Sequence, residues 1–296
     1  IISGLLLALF LWLRPVIGEF GTPTAPDVHG RASRPVPDGT VGGGAVFEVS
    51  ETTPTVLATT RPSAEEAKKF GITHDDEIER LILDLVNEER AKAKLVPLQA
   101  EPTLKETARS HSDDMFVRGF FAHEDPDSLS PADRIAAQHR RLIGLTDENI
   151  WMGINVEVAD RKKMASEIMR EWMGSQGHRA KILKKEFTHI GVGVAIKGRE
   201  VRATQNFAMI RALIDQPIPP YVRSGEHLNL VATPVGTGPK PERYDIFLPD
   251  KGVSVEGSRD ISDGAMKVPA GVYKLRFYFP KEGGYVIYWG PQIEVK

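Results

Sequence analysis

The chain opens on an almost unbroken apolar run, residues 1–13 (IISGLLLALFLWL), closed by Arg14-Pro15. As a helix this run spans ~20 Å at 1.5 Å per residue, short of a ~30 Å hydrocarbon core unless residues 14–18 contribute. It reads either as a signal peptide with Val16-x-Gly18 as the cleavage site, or as a retained anchor. The expectation is a transmembrane helix over 1–18, with Trp12 and Arg14 at an interface. Residues 19–75 then lose all clear periodicity. Clustered Pro, Gly and Thr, with Gly42-Gly-Gly44, predict a partly polyproline tether, along which a partner protein is expected to lie.

From residue 76 the pattern becomes helical. Ile78, Leu81, Ile82, Leu85 and Val86 form one face behind the acidic Asp75-Asp76, and Pro97 ends the element. Pro102 opens a second helix with Leu104, Ala108, His111 and Met115 inward, which reads His111 as a core histidine. Ser130-Pro131 signals a third helix to about Gln138. Thr146–Ile150 reads as loop turning into an extended stretch. Met164, Ile168, Met169 and Trp172 share a further helix face. Ile190–Lys197 and Glu200–Ile210 alternate as two antiparallel strands turned at Lys197-Gly198-Arg199.

The organising stretch is Trp172–Ala195 (WMGSQGHRAKILKKEFTHIGVGVA). Gly174 and Gly177 are read as turning the backbone so that His178 starts a helix. Gly191 and Gly193 alternate with Val192 and Val194, which predicts a bare strand face and, beside His178, a cleft.

After Asp215–Pro220, a Pro-rich linker, helical periodicity vanishes. His227–Thr233, Tyr244–Leu248, Gly252–Glu256, Gly271–Phe279, Tyr285–Tyr288 and Ile293–Val295 read as strands. In 272–280, Tyr273, Leu275, Phe277 and Phe279 share one side, as in a half-buried antiparallel strand. Tyr285–Trp289 reads as core packing, with a carbohydrate platform as the alternative.

Composition narrows the classes. The 296 residues suffice for two domains, and a net charge of -2 with interspersed signs gives no footprint for nucleic acid. The absence of cysteine excludes thiolate ligands and a cysteine nucleophile. Ser112, Ser175 or a metal-bound water are the remaining candidate nucleophiles. His139, His189 and His227 read as surface or loop histidines.

Six short motifs resemble the CAP superfamily (cysteine-rich secretory, antigen 5 and pathogenesis-related 1 proteins) in its bacterial branch. They are Leu85–Arg90, His111–Met115, Gly119–His123, Glu148–Ile150, Trp172 through the GHR and GVGVA segments, and Thr204–Phe207. The resemblance covers 76–211 and implies an α+β fold, an α-β-α sandwich. Residues 222–296, beyond a 212–221 linker, loosely resemble an immunoglobulin-like all-β sandwich.

The resemblance further implies a cavity with two histidines and two acids, in some members holding zinc or another divalent ion. The histidines match His123 and His178, and one acid matches Glu148. The second acid's position holds Ser175. Two imidazoles and a carboxylate could ligate zinc, and could equally hydrogen-bond one another and pin three segments together. The resulting expectation is a membrane-anchored periplasmic CAP protein at the bacterial inner membrane, acting as a non-catalytic binding or scaffolding accessory subunit of a larger membrane complex. The alternatives are a metal-dependent envelope hydrolase using His123, Glu148 and His178, and a lipid-binding module.

Overall fold

The computed structural model describes residues 62–296. The expected anchor at 1–18 and most of the 19–75 tether lie outside the described residues. Among the described residues no helix is long and apolar enough to cross a membrane. The last part of the expected tether is ordered secondary structure. Ser63 and Glu66 form a reciprocal capping box that starts helix α1, Ala64–Lys69, and strand β1, Thr73–His74, follows.

Helix α2 (Asp76–Lys92) is capped by the Asp75 carboxylate, which accepts from the amides of Glu77 and Ile78. Strand β2 (Gln99–Ala100) leads into α3 (Pro102–Val117), and Ser130 caps α4 (Pro131–Gln138) with a second capping box. Then come β3 (Leu142–Ile154), α5 (Arg161–Gly174), α6 (Gln176–Ile182), β4 (His189–Lys197) and β5 (Glu200–Ile214). β5 lies between β4 and β3 in antiparallel register, with Gly193 opposite Thr204 and Glu148 opposite Asn206.

Helices cover both faces of this sheet. On one side Ile78, Ile82 and Val86 of α2 and Met164, Ile168 and Trp172 of α5 bury against Val192, Val194, Trp151 and Phe207. The Trp172 indole fixes α5 to the sheet by donating to the Ile150 carbonyl at 3.0 Å. On the other side α3 sits directly on β4. A Cβ built on Gly191 would lie 2.1 Å from the Leu104 carbonyl carbon, and one on Gly193 2.1 Å from the Arg109 nitrogen. The glycine face is therefore not the floor of a cleft, as its pattern predicts; the backbone of α3 fills it. The turn before His178 also differs from expectation. Gly174 and Gly177 have nothing within 4 Å of a built Cβ, and the chain turns at Ser175, extended at φ -90°, ψ 124° between α5 and α6.

The region after residue 220 is sheet-rich: β6 (Tyr221–Val222), β7 (Ala232–Pro234), β8 (Arg243–Leu248), β9 (Val253–Ser254), β10 (Arg259–Asp260), β11 (Gly271–Lys281) and β12 (Gly284–Val295). Its strands continue the sheet already formed, in the order β1-β4-β5-β3-β12-β11-β8-β10. The join is narrow, with Trp289 of β12 opposite Gly144 of β3. The expected linker is packed into this join: the Ile218 amide donates to the Arg140 carbonyl, and the Arg140 guanidinium to the Ile218 carbonyl. Ile143, Ala212 and Ile214 share one core with Tyr244, Leu275, Phe277 and Ile293. Tyr285, Ile287 and Trp289, expected in the core, face outward on β12.

Candidate functional site

β12 meets β3 only at Gly144, so from residue 145 onward β3 has a strand partner on one side alone. Its consecutive residues Glu148 and Asn149 reach opposite faces, as a pleated strand requires. The Glu148 carboxylate goes to the α3/α4 side and is 1% exposed. The His123 Nδ1 lies 2.9 Å from its Oε1, and Arg134 Nη2 of α4 donates to its Oε2 at 2.7 Å. In the amide orientation that satisfies both its ends, Asn206 also donates to Oε2 at 3.3 Å and accepts from the Ala108 amide at 3.2 Å.

Burial alone would push the Glu148 carboxyl upward. The hydrogen bond from His123 and the favourable electrostatics of His111, Arg134 and His123 outweigh it and hold the group below its ordinary range. Glu148 is thus a buried anion whose two oxygens are committed inside the protein. Arg134 also gathers the segment that carries His123, donating to the His123 and Leu129 carbonyls at 2.8 Å each.

His178 approaches from the other side. On α6 its carbonyl accepts from Asn149 Nδ2 at 3.2 Å, and Lys181 one turn later donates to the Glu148 carbonyl at 2.7 Å. The end of α6 is held in turn by Arg90, the last residue of the Leu85–Arg90 motif. Its buried guanidinium donates to the Ile182 and Lys184 carbonyls at 2.8 and 2.9 Å. Partial burial, the positive charge of Lys181 and electrostatic interaction with His123 lower the His178 pKa. The two imidazoles therefore feel one another, but no hydrogen bond joins the His178 ring to His123 or Glu148 among the described residues.

This arrangement does not fit a three-ligand zinc site made of His123, His178 and Glu148. A ligating carboxylate needs a free oxygen, and here Oε1 faces His123 and Oε2 faces Arg134. Among the described residues no group of three or more His, Asp or Glu is placed to hold a metal ion. Glu148 stands behind His123 and fixes its orientation, leaving only the outer nitrogen Nε2 available.

The expected nucleophiles are elsewhere. The Ser112 hydroxyl is buried, donating to the Gly193 carbonyl and sharing a hydrogen bond with Thr204. Ser175 is half-buried and makes no side-chain cap on α6. His139, expected at the surface, is buried, and its Nδ1 accepts from the Leu142 amide. His189 is half-buried and His227 exposed.

His111, Arg134 and Asn206 complete the site, and sequence reasoning did not bring the last two to it. His111 is buried, with Nε2 3.1 Å from the Ala122 carbonyl and 3.7 Å from Glu148 Oε1. Desolvation lowers its pKa to about 4, against the smaller upward pull of Glu148. It therefore folds neutral and binds its proton more readily when unfolded. The stability it contributes is fully present above pH 6.5 and disappears as pH falls from 6.5 towards 4, about 3 kcal/mol in all. His111→Phe is expected to flatten this loss, read as urea midpoints at pH 7 and pH 4.5; an unchanged slope would contradict the assignment.

CAP, the cysteine-rich secretory protein family, matches residues 83–207. Uncharacterized protein YkwD of Bacillus subtilis (strain 168) is 36% identical over 120 residues, covering 40% of this chain and 43% of that protein. Uncharacterized membrane protein YlbC of the same organism is 31% identical over 145 residues, 49% of this chain and 37% of that protein. The chain thus spans less than half the length of the curated relatives it matches. A crystallised extracellular protein containing a SCP domain, from Bacillus anthracis, is 25% identical with a TM-score of 0.39, covering 51% of this chain and 45% of that one. The chain carries a CAP domain at residues 83–207, shared with bacterial relatives, and a sheet-rich region follows it.

Proposed function

We propose that this chain is a non-catalytic binding module of the bacterial cell envelope, tethered through the apolar residues 1–18 and serving as an accessory subunit of a larger membrane assembly. The observation that carries the reading is the commitment of both Glu148 oxygens to His123 and Arg134. A hydrolase of this kind needs a nucleophile in hydrogen-bond reach of its base. Ser112 is spent on Gly193 and Thr204, and Ser175 has no hydrogen bond to His178. What the site offers is a rigid surface with one oriented imidazole, His123, and a neutral neighbour, His178. The relative named as a membrane protein supports the membrane side of the reading, and a partner along 19–75 belongs to the same proposal.

The second reading is a weak metal site of the two imidazoles alone, favoured by the His123 ring, whose Nδ1 is held on Glu148 while Nε2 faces outward. One experiment separates them. The full chain, purified without chelator, is titrated with zinc by calorimetry and assayed against peptide and ester substrates. Neither turnover nor stoichiometric zinc uptake is the expected result. One equivalent of zinc that is lost in His178→Ala, or hydrolysis that is lost in His123→Ala, would overturn it.

A further inference from the structure

Where the sheet-rich region joins the CAP domain, α4 lies over β3 and β12 and leaves a groove beside Trp289. A cavity of about 210 Å³ opens there, lined by Ala132 and Ile135 of α4, Leu145 and Thr146 of β3, and Lys274 and Trp289. It lies away from the Glu148 carboxylate: Ala132 and Ile135 line it, whereas Arg134 of the same helix turns to Glu148. Trp289 also belongs to an outward row on β12. Tyr285, Ile287 and Trp289 are 42, 43 and 39% exposed, at alternate positions and so spaced over about 14 Å.

The rings in this row are held in place. Phe247 meets Trp289 edge-on at 5.2 Å, and Tyr278 meets Tyr285 at 6.0 Å. The Arg276 guanidinium lies 4.3 Å from the Phe247 ring centre and is bound by the buried Asp245 carboxylate, which also accepts from the Tyr278 hydroxyl. Lys274 is paired with Asp133 of α4. The charges around the groove are therefore matched inside the protein, which leaves no surplus of either sign to recruit a polyanion or a polycation.

Fixed aromatic rings with internally paired donors and acceptors at their edges suit one ligand chemistry. A sugar ring has an apolar C–H face that packs on an indole or phenol and a rim of hydroxyls that hydrogen-bond to ammonium, carboxylate and threonine groups. We propose that this groove is a binding site for a neutral glycan chain. One sugar ring sits in the cavity against Trp289, within reach of the Lys274–Asp133 pair and Thr146. Further units of the chain lie over Ile287 and Tyr285.

The test is titration of the full chain with neutral chito-oligosaccharides, chitobiose through chitohexaose, followed by tryptophan emission and calorimetry. Cello-oligosaccharides serve as the second neutral series and polygalacturonate as the anionic comparator. Saturable binding that tightens with chain length in a neutral series is expected. Trp289→Ala should weaken it roughly tenfold or more. Ala132→Trp, which fills the mouth of the groove from an exposed helix position, should do the same with an unchanged melting temperature. The proposal is overturned by any of four results: no saturable response to either neutral series, affinity unchanged in Ala132→Trp, preference for polygalacturonate, or self-association of the chain that buries Trp289.

Discussion

Replacing Arg134 with methionine is expected to destabilise the protein by about 3–5 kcal/mol, the cost of leaving a buried charge without its partner. Glu148 and Arg134 are both 1% exposed, and the carboxylate would keep only His123 and Asn206. The same substitution releases the His123 and Leu129 carbonyls, so the segment presenting His123 loses its attachment to α4. The double variant Arg134→Met with Glu148→Gln should lose less than Arg134→Met alone, because no unpaired charge is then buried. Urea unfolding of the three proteins at pH 7 checks this. A single variant within about 1 kcal/mol of the parent would show that the pair is not the buried unit described here.

The second large effect concerns the glycines. Gly193→Ala should cost about 3 kcal/mol, because the new methyl group would meet backbone atoms of α3, which cannot rotate away as a side chain can. Gly174→Ala should be neutral or stabilising by up to about 1 kcal/mol, since it ends a helix with open space around it. Melting temperatures of the two variants report this contrast directly, and equal effects would contradict the placement of α3 on β4.

These two sites also show what the sequence could reveal. Local patterns located α2, α3, α4, α5, β4 and β5, because caps, prolines and periodic apolar positions act over a few residues. They did not reveal that the Gly191/Gly193 face meets a helix. A bare strand face looks the same on paper whether it lines a cleft or receives a backbone, and only the long-range packing of α3 decides. β3 extends beyond its sequence pattern for a related reason: Thr146-Asp147-Glu148-Asn149 is polar throughout, and its side chains are satisfied by partners on α4, α6 and β5 that no local signal foretells. His123 and Glu148 could be singled out by resemblance. Arg134 could not, since nothing in PADRIAAQ distinguishes a guanidinium aimed at a carboxylate from one in solvent. The C-terminal strands were recognisable by alternation, whereas their fusion to the CAP sheet through Trp289 and Gly144 depends on one strand pair and on the packing of residues 214–218.

Glu148 is the internal partner that orients His123. Long-range ¹⁵N–¹H correlation of the histidine side chains at pH 7.5, with and without equimolar zinc, addresses this most directly. The expected spectrum has the His123 proton on Nδ1, facing Glu148, with Nε2 bare and outward, and zinc leaves the Nδ1 proton in place. A proton on Nε2, or loss of the Nδ1 proton when zinc is added, would mean that Glu148 is free to ligate and that the arrangement has been misread.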